Sequence, residues 1–543
     1  MVFARRSTTL LAAIIASCAM VLSLTACTSD NKTVVDGQTT VTSNSAGGVA
    51  VFTPSDGITL NQQMPLNKWA KLVPDLTKAL VDAGFKKGDI NHTTSDSLDK
   101  QSRAIQDFVV DHLSNNTTDD SGIAIAPDNM TLLVAPVVEA DASTRQYGDY
   151  ISQNLSTNDV TDEGATSDGE SSEDDSSKDD SSNTESDSTA SDEQAQAVDR
   201  LVSSLKLAKE SGMHVVLLGN SIEGYKPDAF VKFSDAQTIG KLQAEKMVSK
   251  LKLDKASKDN PKYIEVLLPY TAMDEKGNAN DSTFAQEAFR GIWQVLGSYY
   301  QKGVVESPSG TLDGKSTEND WQAVAYDAAK EGSTAKVLDK RLAKTDGQST
   351  LTRIDGIITM NDYIASEVVK ELDDLGYTGS AADINPQITI SGIVGNITGK
   401  KDLSRDAVPD PIKSPENDNA NDSSSSDDDA DEDTSASDKD RDSQWPLVTG
   451  YGAYVSNIPS IVNGKQWMTG MEDRQTIATD IAQACAKLNK DEALNSMPSI
   501  RNSEVGGVKK IPTISEPLLA VSASNLKSAL IDPGYISLAD AGL

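Results

Sequence analysis

Hydrophobic positions along this chain come in two rhythms that alternate. Short continuous apolar runs at 49–52, 130–135, 214–218, 263–268 and 354–359 predict buried strands, with shorter ones at 387–391 and 447–449. Between them the apolar residues recur every three or four positions. Over 69–83, Leu72, Leu76, Leu80 and Val81 share one face of a helix. Further helices are predicted over 198–211, 238–251, 283–300, 363–375 and 475–488, the fifth of these six stopping at Gly376. Strand and helix in alternation predict parallel sheets covered by helices on both faces. So many units exceed one sheet of comfortable size, so the fold class expected is α/β with two lobes. In such sheets ligands bind outside the carboxyl ends of the strands, and two lobes facing each other there make a cleft.

The first 48 residues follow neither rhythm. Arg5 and Arg6 precede an apolar stretch over about 10–24, too short to span a bilayer and the size of a secretory signal core. It ends in Leu24-Thr25-Ala26-Cys27, which resembles the bacterial lipobox, whose cysteine receives a diacylglycerol. The expectation is a signal peptide over 1–26, lipid on Cys27, and a Ser/Thr/Asn/Gly-rich flexible tether over 27–48. An ordinary secretory signal with a chance cysteine is the competing reading. No later segment is apolar enough to cross a membrane, so the lipid is the one membrane contact expected, on the extracytoplasmic face.

Charge changes the picture only locally. The chain carries 82 acidic and 49 basic residues, a net charge of -33. Residues 159–193 hold 14 acids and one base, and residues 416–442 hold 12 acids and two bases, so these two tracts account for -23 of it. Rich in Ser and Asp, without aromatics or apolar periodicity, they are expected to be disordered insertions. Solvated loops are the plain reading of them, and cation or polymer binding the functional one. The acidic balance argues against a nucleic-acid partner.

Candidate chemistry is sparse. Cys18 falls in the signal and Cys27 at the lipid site, so Cys485 alone remains and no intrachain disulfide can form. In its helical run it reads as a small buried apolar residue. His92, His112 and His214 give no metal spacing. Residues 310–316 (GTLDGKS) are one residue short of a phosphate loop, and 274–281 place glycine wrongly for a calcium loop. No nucleophile–base pair is legible, so no enzyme, cofactor or metal is expected.

Several stretches carry a resemblance. Leu133-Val134-Ala135-Pro136, Ser211 to Val216, Asp228 to Asp235, Ile239 to Ala244, Asp355 to Asp362, and Lys510-Ile511-Pro512-Thr513 follow one another in an order similar to type I periplasmic binding proteins, especially xylose-type sugar-binding lipoproteins of ABC transporters. The resemblance runs from about residue 51 to the end. It implies two Rossmann-like lobes joined by a three-stranded hinge, closing on ligand. It divides the chain into lobe 1 at 49–219 (acidic insertion 157–195), lobe 2 at 220–460 (acidic insertion 413–444), a return to lobe 1 at 461–512, and a closing segment of lobe 2 at 513–543. The implied partners are a small-molecule ligand, a sugar, and an ABC permease.

The family's ligand positions fall on Asn67, Lys68 and Trp69 after the first strand, on Glu139, and on Asn220 where the family has Asp-Arg. In the second lobe they fall on Asn280 and Asp281, Trp321, Asn361 and Asp362, and Tyr451. Planar polar groups and an aromatic face suit a sugar ring. Each also has a structural reading: Asn and Asp at strand-to-helix turns cap helices, and Trp packs in cores. About half of the family's polar set is present, the missing Arg and Asp being those that make charge-assisted bonds. A different ligand, a sugar held by other residues, or a cleft turned to sensing or accessory use all fit. Three functions follow: a solute-binding lipoprotein of an ABC importer, a ligand-sensing or accessory lipoprotein of the same fold, or a surface-interaction protein acting through its acidic tracts.

Overall fold

The computed structural model describes residues 34–35, 38–39, 46–55, 65–115, 125–138, 144–156, 185–273, 280–343, 350–382 and 444–543 of the 543-residue chain. The signal peptide, Cys18, Cys27, Glu139, the strand expected at 387–391 and most of both acidic tracts lie outside these residues. Residues 1–45 form a unit of their own, in which Val34–Val35 pairs antiparallel with Gln38–Thr39 inside the expected tether.

Residues 46–543 form the second unit, built on two sheets. The first sheet uses β1 (Gly48–Pro54), β2 (Ile90–Ser95), β3 (Met130–Val134), β4 (His214–Leu218) and β5 (Ala229–Lys232), all parallel, in the order β2-β1-β3-β4-β5. Its inner strands are apolar on both faces because helices cover both, while the edge strand β2 is largely polar and exposed. Val49 and Val51 of β1 face one core with Leu133, Val216 and Val231; Ala50 and Phe52 face the other with Leu132, Leu217 and Phe230. Helix α1 (Trp69–Asp82) lays Leu72, Leu76 and Leu80 on the first of these cores. Helices α2 (Leu98–Asn115) and α3 (Glu185–Glu210) cover the second with Ile105, Val109, Leu201 and Leu205. Helix α3 begins inside the tract expected to be disordered, where Ala190, Glu193, Gln194, Ala195 and Gln196 are good helix formers.

The second sheet is parallel too. Its strands are β6 (Lys262–Val266), β7 (Val305–Glu306), β8 (Gly356–Ile358) and β9 (Leu447–Thr449), in the order β7-β6-β8-β9. Helices α4 (Ala236–Leu251) and α5 (Thr283–Gln301) cover one face, and α6 (Ser333–Arg341) and α7 (Asp362–Leu375) the other. α4 and α5 cross closely at Gly240 and Gly291: a Cβ on either would overlap a carbonyl oxygen of the partner helix, Ala288 or Gln237.

The chain passes between the lobes three times. Strand β5 leads through Ser234 and Asp235 into α4. Strand β10 (Met468–Met471) leads through Glu472 and Asp473 into α8 (Arg474–Leu488), which packs Ile477, Ile481 and the free, buried Cys485 on the first core. A hairpin of β11 (Ile500–Val505) and β12 (Val508–Ser515) then extends the first sheet beside β5, and residues 516–518 lead to β13 (Leu519–Ser522), which pairs antiparallel with β10.

These pairings move the expected boundaries. β5 pairs with β4 through Val216 and Ala229, so the first lobe runs past 219 to about 233. Gly470 bridges Tyr451, so 461–471 stays with the second lobe. Thr513 to Ser515 pair with β5, so the last crossing comes after 515 rather than at 513. Strand register, which apolar pattern does not encode, decides all three.

Candidate functional site

A cavity of about 560 Å3 lies between the lobes. Its walls come from segments that leave the carboxyl ends of β3, β5 and β6, where parallel α/β sheets place ligands.

The wall from the second lobe is built of two helix starts. Asp235 caps α4, its Oδ1 accepting from the Thr238 N–H at 2.7 Å and hydroxyl at 2.6 Å, while Lys232 Nζ sits 2.8 Å from Oδ2. Burial opposes its ionisation, but Lys232 and Thr238 outweigh burial and hold the carboxyl below the usual range. Ahead of α5, Asp281 Oδ1 accepts from the Thr283 N–H at 2.9 Å and hydroxyl at 2.7 Å. One turn on, Glu287 also lines the cavity and pairs with Arg290. Gln237 adds an amide and Phe284 an aromatic edge.

The first lobe supplies Thr144, Ile151, Ser152, Gln153 and Asn154. This wall is held from behind. Asn220 Oδ1 accepts from the Gln153 N–H at 2.9 Å and its Nδ2 donates to the Pro136 carbonyl at 2.9 Å. Asn154 and Leu155 pair in parallel with Ser221 and Ile222.

Carboxylates, amides, hydroxyls and one ring edge give a lining that accepts hydrogen bonds from hydroxyl or ammonium groups. No lysine or arginine lines it among the described residues. Among those residues no three His, Cys, Asp or Glu lie close enough to hold a metal ion.

Of the residues expected at the site, Asp281 lines the cavity and Asn220 braces its wall. Asn280, next to Asp281, closes the turn: its Nδ2 donates to the Thr271 carbonyl at 2.8 Å. The other described ones face the chain itself. Lys68 pairs with Asp149 at 2.6 Å. Trp69 is buried against Tyr150 and Phe233, with ring centroids at 5.1 and 5.6 Å, because its indole fills the core under α1. Asn67 is buried and accepts the Asp149 N–H on its carbonyl at 2.8 Å. Trp321 is packed edge-on against Tyr270 at 5.1 Å. Asn361 caps α7, accepting from the Ile364 N–H at 2.9 Å.

Asp362 and Tyr451 are structural centres. Asp362 is fully buried and accepts from Gln466 Nε2 at 2.7 Å, Thr469 Oγ1 at 2.8 Å and the Tyr454 N–H at 2.9 Å. Burial pushes its carboxyl up to about 6 against these bonds. Tyr451 puts its hydroxyl on Ser234 Oγ, with Glu472 Oε1 at 3.5 Å, so it joins two of the three crossings. The residues sequence reading missed include Asp235, Gln237, Phe284 and Glu287 in the second lobe and the whole first-lobe wall, Gln153 and Asn154 among it. A signal existed for the first: an aspartate between a strand and a helix, three positions before Thr238.

No family model matches the chain, and no curated protein matches it. Solved structures similar to it include an ABC transporter solute-binding protein from Clostridium phytofermentans with bound β-D-glucose, 16% identical over 91% of this chain and 99% of that one, TM-score 0.43. A carbohydrate transporter solute-binding protein from Chloroflexus aurantiacus in complex with D-glucose is 17% identical over 92% of this chain and 98% of that one, TM-score 0.43. A periplasmic solute-binding protein of an ABC transporter from Actinobacillus succinogenes 130z, with bound D-allose, is 10% identical over 89% and 99%, TM-score 0.38.

Proposed function

We propose that this chain is an extracytoplasmic solute-binding lipoprotein, tethered through Cys27, that takes a sugar into the cavity between its lobes and hands it to an ABC importer. The observation that carries this reading is the cavity itself. At about 560 Å3 it is of ordinary ligand-site size and lies at the carboxyl ends of parallel strands from both lobes. Its lining offers acceptors at Asp235, Asp281, Glu287 and Gln153 for ring hydroxyls, and the Phe284 edge for an apolar ring face. Two lobes crossed three times suit capture by closure. Among the described residues no helix is long and apolar enough to cross a membrane. Under this reading the lipid keeps the binder near its permease at high effective concentration.

Calorimetric titration of the chain carrying Cys27→Ser against pentoses, hexoses and oligosaccharides tests it. One of these sugars should give binding heat, and Asp281→Ala or Glu287→Ala should weaken it by about tenfold or more through loss of a charge-assisted bond. No heat and no thermal shift with any sugar sinks the reading. An accessory or sensing lipoprotein of the same architecture is the second reading. It is favoured by the strand-end residues Asn361, Asp362 and Tyr451, whose side chains are turned to the chain's own groups.

A further inference from the structure

Residues 144–151 belong by sequence to the first lobe, yet they dock on both. On the first-lobe side, Asp149 takes the Lys68 ammonium at 2.6 Å and the Trp69 N–H at 3.1 Å. Tyr150 donates its hydroxyl to the Lys68 carbonyl at 2.6 Å and stacks on Phe233 at 4.7 Å. Gly148 holds a positive φ of 95° against this base, where a Cβ would meet the Asn67 carbonyl oxygen at 2.5 Å. One residue earlier the chain reverses its allegiance. Tyr147, 1% exposed, buries its ring in the second lobe's core, 4.6 Å from Phe284 and 6.2 Å from Tyr451. Gln146 accepts there twice: its carbonyl from the Tyr454 hydroxyl at 2.7 Å, its Oε1 from Asn361 Nδ2 at 3.1 Å.

The geometry points to a built-in strap: residues 144–151 bridge the lobes and hold them closed on each other with no ligand present. Tyr147 is the anchor. Moving the lobes apart must draw its ring out of an apolar core and break two hydrogen bonds at Gln146, while Asp149 and Tyr150 stay fixed on the first lobe. The second-lobe groups that the resemblance assigned to a ligand, Asn361 and Tyr451, are therefore in contact with the chain's own side chains. Because Ile151 and Ser152 continue from the strap into the cavity wall, withdrawal of Tyr147 would also open the cavity.

The test needs no sugar, so its outcome is independent of the reading of the cavity. Spin labels at Lys78→Cys on α1 and Lys370→Cys on α7, both exposed, in the chain carrying Cys27→Ser, report the distance between lobes by pulsed electron resonance. The parent should give one narrow distance. Tyr147→Ala should add a second, longer population of roughly a tenth of molecules or more. Tyr147→Phe keeps the ring and should match the parent. Tyr454→Phe removes only the hydroxyl bond to the Gln146 carbonyl and should give the longer population at lower amplitude. Unchanged distributions in both Tyr147→Ala and Tyr454→Phe overturn the strap. If Tyr147→Ala does not fold, Tyr454→Phe decides alone, an unchanged distribution again overturning it.

Discussion

Replacing Glu472 by glutamine should make the protein more stable at pH 8 while leaving it nearly unchanged at pH 4.5. Glu472 stands at the second crossing between lobes, 1% exposed. Its Oε1 accepts from the Ser234 N–H at 2.6 Å, which ties this crossing to the first, and its own N–H faces Asn67 Oδ1 at 3.5 Å. Burial pushes its carboxyl up to about 7, against the bonds from Ser234 and Tyr451 and with a small further push from the Asp235 charge. Above an unfolded value of 4.5 the unfolded chain gives up this proton while the folded chain keeps it. The folded state then binds more protons, so stability falls as pH rises from about 4.5 to about 7 and levels off above. A rise from 4.5 to about 7 corresponds to about 3 kcal/mol at about 1.4 kcal/mol per unit.

Glutamine keeps the carbonyl that the Ser234 N–H needs and has no charge to bury. Urea unfolding of parent and Glu472→Gln at pH 4.5, 6 and 8 measures the difference directly. It should grow toward about 3 kcal/mol in favour of glutamine with rising pH. Asp362, raised from 3.8 to about 6, adds a slope of the same sign to both proteins and cancels in the difference. The exposed, paired carboxylates of Asp96, Asp99 and Glu492, held low, titrate below this window. A parent–variant difference that does not change between pH 4.5 and 8 would refute the reasoning, because the carboxylate would then be ionised equally in folded and unfolded chains.

Two further outcomes test packing. Gly291→Ala gains helix propensity of about 1 kcal/mol but drives a methyl into the Gln237 carbonyl, so thermal or urea unfolding should show a net loss of about 1–3 kcal/mol; a gain in stability would mean α4 and α5 can part without cost. Asn489 accepts from the buried Thr131 hydroxyl at 2.6 Å and donates to the Ala46 and Gly48 carbonyls at 2.9 and 3.1 Å. Asn489→Ala should cost about 2–4 kcal/mol in the same assay, and a loss under 1 kcal/mol would show those groups find other partners.

Much of the architecture was legible because strand and helix periods differ and both are marked by apolar residues. Val49 to Phe52 and Val215 to Leu218 are buried on both faces and read as strands at once. Ile90–Ser95 did not, since it is an edge strand with four of its six residues exposed and little apolar content. Helix α2 escaped for a related reason: its buried stripe is thin, carried by Leu98, Ile105 and Val109, with Val110 and Leu113 exposed. Lobe boundaries were misjudged wherever they depended on register, as at Ala229 and Thr513, because a parallel partner can lie anywhere in the chain.

The candidate site was less legible because ligand contact and self-contact use the same residue types. Asn361 shows the limit. Its role as a cap can be read from the three residues that follow, since Oδ1 serves the Ile364 N–H within the same turn. What its Nδ2 does depends on Gln146, 215 positions away in sequence. Asp362 is similar: its donors Tyr454, Gln466 and Thr469 arrive from a segment about a hundred residues later. A polar residue at a strand end is a ligand contact only if nothing in the chain reaches it first; here residues 146–150 reach Lys68, Trp69 and Asn361, and other segments reach Asp362 and Tyr451. Asp235, Asp281 and Glu287 differ: each lines the cavity, and the bonds each makes stay within three residues.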